Sequence, residues 1–237
     1  QRLSSSDAEE RRDAVLRLGS IARPESARVA ATALPDASAM VRAAAARAVL
    51  SLPPEEATVL LLPLLNDRDE FVRREAAYAL GLTRRPAAVP ALVGALERDK
   101  SPGVRGAAAV SLGLIGDPAA TGALAQAMVR RVPRSGFFNR LARRREAENE
   151  FVRRAAARSL GEIGSRDAVP PLTDALLNER AGDDVRREAA RSLGLIGDPA
   201  AIPALQRAAR DTRDPYFSEH ITEALRRIET TGARKSL

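Results

Sequence analysis

A ten-residue pattern that returns every 31 to 33 residues, with one longer interval, constrains this chain more than any other feature. Val72-Arg-Arg-Glu-Ala-Ala-Tyr-Ala-Leu80-Gly recurs as Val104-Arg-Gly-Ala-Ala-Ala-Val-Ser-Leu112-Gly. It returns as Val152-Arg-Arg-Ala-Ala-Ala-Arg-Ser-Leu160-Gly and as Val185-Arg-Arg-Glu-Ala-Ala-Arg-Ser-Leu193-Gly. Weaker copies begin at Glu10, Val41 and Phe217. The anchoring apolar residues are Leu18, Val49, Leu80, Leu112, Leu160, Leu193 and Leu225, spaced by 31, 31, 32, 48, 33 and 32. Seven units follow, and a period of this size marks a stacked array.

Each unit reads as a helix pair. Val72, Ala76 and Leu80 fall at i, i+4 and i+8, on one face of a first helix. A second apolar set follows: Leu92 and Leu96, Leu124 and Met128, Leu172 and Leu176. Gly116-Asp117-Pro118 and Gly197-Asp198-Pro199 stand between the two sets. Gly suits a helix C-terminus, Asp an N-cap, and Pro the first helical turn. Two short helices cannot bury their apolar faces alone, so the units must stack. Ala107 to Ala109, Ala155 to Ala157, Ala189 and Ala190 supply small faces for close helix approach.

Asp, then Val-Arg-x-x-Ala-Ala, then Leu-Gly-x-Ile-Gly-Asp-Pro-Ala-Ala-x-Pro-Ala-Leu resembles the HEAT-like repeat of the phycobilin lyase type, best in Asp184 to Ala209. The resemblance implies an all-α, right-handed α-solenoid of about seven HEAT-like repeats in one domain. Repeats are expected at about 4–36, 37–67, 68–99, 100–131, 150–180 and 181–211, with a terminal helix at 212–230. Glu219, Glu223, Arg226 and Arg227 would give that helix a polar outer face. A basic insertion occupies 132–149 and a tail 231–237. The resemblance also raises a chromophore lyase subunit as an alternative, since relatives of that type attach or remove tetrapyrroles on acceptor proteins. Repeats of this kind serve many bacterial proteins as general interaction surfaces, so the fold leaves function open.

Composition removes several chemistries. With no Cys and one His, His220, neither a thiol nucleophile nor a His/Cys zinc site is available. No cofactor or metal is expected, and no run approaches the 18 apolar residues of a membrane span. A cytoplasmic location is the default, and an exported one requires a signal removed before Gln1. An Arg follows the first apolar position in six units: Arg11, Arg42, Arg73, Arg105, Arg153 and Arg186. A phosphate-binding ladder is one reading. An internal ladder, answered by Asp36, Asp67, Asp69, Asp99 and Asp183 or by helix-end carbonyls, is the plainer one. Gly113-x-x-Gly116, Gly161-x-x-Gly164 and Gly194-x-x-Gly197 read as helix termini, because no P-loop lysine accompanies them. The acid pairs Asp69/Glu70 and Asp183/Asp184 sit where first helices start, in favour with the helix dipole.

Two surfaces remain for function. Gln126, Asp174 and Arg207 occupy one varying position of the second helices, expected on a concave side. The other surface is the segment from Arg130 to Arg145. It holds seven Arg (Arg130, Arg131, Arg134, Arg140, Arg143, Arg144 and Arg145) with Phe137, Phe138 and Leu141, and no acid. Removing these seven from the 38 basic residues leaves 31 against 31 acids, so the net charge of +7 belongs to this segment. Pro133 and Gly136 favour a turn, and Phe138 to Arg145 reads as a short basic amphipathic helix. The expected function is a non-enzymatic scaffold that binds a protein partner with an acidic surface. Nucleic acid or anionic lipid is the alternative occupant.

Overall fold

The computed structural model describes residues 2–133 and 145–235, arranged in two compact units, Gln1–Ile115 and Gly116–Leu237. The first unit contains α1 (Ala8–Ser20), α2 (Pro24–Ala31), α3 (Ala39–Ala48), α4 (Pro54–Leu61), α5 (Glu70–Thr83), α6 (Val89–Arg98) and α7 (Pro102–Ile115). The longer odd-numbered helices are the first helices of the repeats, and α1, α3, α5 and α7 pack in succession. The shorter α4 and α6 pack against α5 and α7.

The second unit contains α8 (Thr121–Val129), β1 (Arg131–Pro133), β2 (Arg145–Ala147), α9 (Glu150–Ile163), α10 (Val169–Leu177), α11 (Asp183–Ile196), α12 (Ile202–Asp211) and α13 (Pro215–Lys235). Here α9, α11 and α13 stack, with α8, α10 and α12 along them. The α13 helix continues past residue 230. Stacked helix pairs thus make up each unit, and the fold class is all-α, of the solenoid type.

The repeat explains where each helix starts and stops. Asp7, Asp69 and Asn149 accept from the backbone N–H two residues on, capping α1, α5 and α9. Gly164 and Gly197 end α9 and α11 at φ of 72° and 69°, each donating its N–H to the anchor carbonyl of Leu160 or Leu193. Asp117 and Asp198 cap one turn earlier than the sequence suggests, on 3-10 turns at Pro118–Ala120 and Pro199–Ala201 that lead into α8 and α12.

Val49, Leu80, Leu112, Leu160 and Leu193 are wholly buried, while Leu18 and Leu225 in α1 and α13 are only partly covered. Burying a Leu side chain is worth about 2 kcal/mol, so each buried anchor contributes on that order to holding the layers together. The Gly that follows the anchor has a different role from the one expected of it. Gly81 and Gly161 lie inside α5 and α9, not at their ends. A Cβ on Gly81 would stand 2.7 Å from the Ser111 backbone, and one on Gly161 2.8 Å from that of Ser192. The absent side chain lets the next first helix approach, and Ser111 Oγ then donates to Ala77 O at 2.7 Å. Ser192 Oγ makes the same bond to Ala157 O at 2.8 Å.

Candidate partner-binding surfaces

The recurring Arg is internal. Arg11, Arg42 and Arg73 each fork onto the carboxylate of Asp36, Asp67 or Asp99 at 2.7–3.1 Å. The third guanidinium nitrogen donates to carbonyls of the preceding turn: Ser5, Asp36 and Asp67 respectively. Arg42 and Arg73 are buried, as is Arg105, which donates to the carbonyls of Asp99 and Lys100. The hydrogen bond from Arg11, helped by the Ser38 N–H and opposed by burial, holds the Asp36 carboxyl below the usual range.

In the second unit Arg153 Nε donates to Met128 O at 3.0 Å and Arg186 Nε to Leu176 O at 3.1 Å. The Arg186 guanidinium also lies 4.6 Å from the Phe217 ring centroid. Asp69, which the sequence offered as a further partner, caps α5, and Asp183 opens α11. Asp184 pairs with Arg154 and Arg187 on the surface.

A buried cation whose hydrogen-bond donors point into its own fold cannot also line a phosphate track. The net charge of the chain lies elsewhere in the sequence. At the insertion, β1 and β2 pair antiparallel, with Arg131 opposite Ala147, Val132 opposite Glu146 and Pro133 opposite Arg145. Glu148 N donates to Arg130 O at 2.9 Å, extending this stem by one bond. The Glu148 carboxylate is buried, lies 3.9 Å from the Arg130 guanidinium and accepts from Asn149 N at 2.7 Å. Asn149 in turn caps α9.

The stem therefore starts from a fixed helix end. Arg130 is half-buried and Arg131 exposed. Arg145, expected to end a basic helix, is in strand β2 instead. Arg134, Phe137, Phe138, Arg140, Leu141, Arg143 and Arg144 lie outside the described residues. Glu148 lies within the 132–149 insertion but is not among the residues the sequence singles out.

Gln126, Asp174 and Arg207 are exposed on α8, α10 and α12, successive second helices of the second unit. Arg207 reaches Asp211 at 3.7 Å. His220 is half-buried on α13, where its Nδ1 bonds Tyr216 O at 2.7 Å. Since a carbonyl only accepts, Nδ1 carries the proton. The ring borders a cleft of about 260 Å³ shared with Arg191, Glu219, Glu223 and Arg227. Bonds from Arg226 and Arg227 lower the Glu223 carboxyl to about 2. Among the described residues no group of three or more His, Cys, Asp or Glu could hold a metal, and no helix is long and apolar enough to cross a membrane.

Recurrent helix pairs, an internal Arg ladder and a Gly seam between first helices define a helical repeat protein. The HEAT-repeat family model matches residues 1–81, 58–134 and 139–234, and the chain belongs to that family. Its fold is similar to the complex of CpcE and CpcF of phycocyanin lyase from Nostoc sp. PCC7120. That match has 22% identity and a TM-score of 0.55, over 96% of this chain and 92% of the other. An engineered protein is similar at 22% identity and a TM-score of 0.57, covering 96% of this chain and 66% of its own. At these identities the likeness is one of fold. A comparison with curated proteins finds no match.

Proposed function

We propose that the protein is a non-enzymatic scaffold or assembly subunit that grips an acidic protein surface through its basic insertion. The observation that carries this reading is where the net charge of the chain sits. The ladder Arg residues are spent on internal bonds, whereas the net +7 is concentrated between Arg130 and Arg145, on a stem fixed to the start of α9. Gln126, Asp174 and Arg207, exposed on the second helices of the same unit, form a second contact surface. Phe137 and Phe138 supply apolar anchors among the cations, since aromatic and Arg side chains dominate contact energies.

The test is affinity purification from native cells with the wild type and with Arg143→Glu/Arg144→Glu/Arg145→Glu. The variant is expected to lose the co-purifying protein while keeping its helical circular dichroism. A partner recovered in full by a folded variant overturns the assignment to the insertion. Nucleic acid makes a separate demand: seven phosphate contacts require a slope of log K against log salt of roughly −6. The lyase-type fold suggests one further control. An absorbance shift on mixing with a free bilin would replace the scaffold reading with a chromophore-handling one.

A further inference from the structure

The outward faces of the first helices differ between the two units at equivalent positions. Six residues after the motif's opening stand Leu16, Arg47, Tyr78 and Val110 in α1, α3, α5 and α7, against Arg158, Arg191 and Glu223 in α9, α11 and α13. In the second unit that face pairs its own charges: Arg158 with Glu162 at 2.8 Å and Arg191 with Glu188 at 2.9 Å. In the first unit the same position is mostly apolar, whereas the position just before the motif is apolar in both, at Met40 and Phe71 and at Phe151 and Tyr216. Leu16 is 49% and Met40 50% exposed, and with Phe71 they border a cleft of about 240 Å³ across α1, α3 and α5. Arg47 and Arg12 rim it, Arg12 pairing with Asp13 at 3.2 Å, while Glu75 is largely covered and lies 3.9 Å from Arg74. Among the described residues Arg47 meets no carboxylate.

We propose that this cleft docks one amphipathic helix of a partner protein, with apolar residues at i, i+3, i+4 and i+7 flanked by acids. Two observations select that occupant. A stable protein–protein interface needs about 800 Å² from each partner, and three part-exposed side chains fall well short of it, whereas a single helix in a groove needs only a few apolar anchors. A second copy would also set the Arg47 cation against its own likeness, while an acidic helix complements it. Small Ala43 and Ala44 on the floor leave room for the anchors.

The probe is a fluorescein-labelled helical peptide of about 15 residues, long enough to hold a helix, with Leu at those positions and Glu flanks. A Lys-flanked twin serves as control. Fluorescence anisotropy with the full chain should show saturable binding of the Glu peptide. Met40→Asp should weaken it at least tenfold, and Leu195→Asp, at an exposed apolar residue of the second unit, should leave it unchanged. Arg47→Glu should weaken the Glu peptide and strengthen the Lys peptide, a reversal that loss of folding cannot produce. Circular dichroism checks each variant. Absence of saturation up to about 1 mM, or equal affinity of wild type and Met40→Asp, overturns the proposal. So does Met40-dependent binding to phosphatidylserine vesicles without peptide binding, or a dimer in sedimentation that Met40→Asp abolishes.

Discussion

The two units place an Arg at the same point of their repeats and satisfy it in different ways. In the first unit three successive layers close with a bidentate carboxylate, Asp36, Asp67 or Asp99, supplied from the next inter-repeat turn. In the second, Arg153 and Arg186 rest on a helix-end carbonyl, and Arg186 adds the face of Phe217. The outer faces differ too: ion pairs between and along the first helices are more frequent in the second unit, while the first has Arg12 with Asp13 and Arg74 with Glu75. The recurring guanidinium is thus a fixed requirement of the frame, while its partner and the outer face are free to vary. A residue present in every layer reports on the frame, and a residue that departs from the pattern is the better pointer to a contact.

The largest effects should separate the two kinds of clamp. Arg73→Ala strands the buried Asp99 carboxylate and should cost about 3 kcal/mol in urea unfolding. Arg153→Ala removes a bond to one carbonyl and should cost about 1 kcal/mol. Equal losses would erase the distinction between the units. Gly81→Ala and Gly161→Ala test what the units share. Each forces a methyl to within 3 Å of the next helix's backbone, and each should cost about 1–3 kcal/mol, in either unit alike. A neutral substitution at one of them would show that the seam is not common to both.

A smaller effect concerns acid. Asp36 has its folded pKa depressed by Arg11, so its contribution is complete above the ordinary Asp value of about 4 and disappears as pH falls through the folded value. Asp67 behaves alike: burial raises it, but the bonds from Arg42 and the Asp69 N–H outweigh that and hold it low. Between pH 5 and 8 these clamps should leave stability flat, by the same linkage. Thermal melts of Asp36→Asn, compared with wild type at stepwise lower pH, should show the acid limb flattened. An unchanged limb would remove Asp36 from the acid response.

Most of this frame is readable in the sequence because the repeat repeats its physics. The period places the anchors, and Asp lies 25 or 26 residues beyond Arg11, Arg42 and Arg73, which is one turn onward in the stack. The Gly seam was also within reach. Small residues, Ser111, Ser192 and Ala224, stand at the place each Gly meets, one position before the next anchor. Local reasoning about Gly-x-x-Gly favoured helix ends, which holds for Gly164 and Gly197 but not for Gly161 and Gly194.

The stem had no such signal. Strands of three residues carry no alternation to detect, and Arg-Val-Pro pairs with Arg-Glu-Ala only through closure of the intervening segment. The exposed Leu16 and Met40 cleft was equally silent, because outward and inward apolar residues look alike until layers are stacked. Of the candidate contact residues, the second-helix set Gln126, Asp174 and Arg207 could be named from position alone.

On the proposed function, some Arg residues hold the frame and others meet a partner. The most direct measurement compares Arg73→Ala with Arg143→Glu/Arg144→Glu/Arg145→Glu, recording partner recovered per folded molecule beside the unfolding midpoint. The ladder variant should lose stability and keep its partner, and the insertion variant should keep stability and lose its partner. Partner loss that follows the unfolding midpoint in both variants, or that occurs only in the ladder variant, would contradict the division.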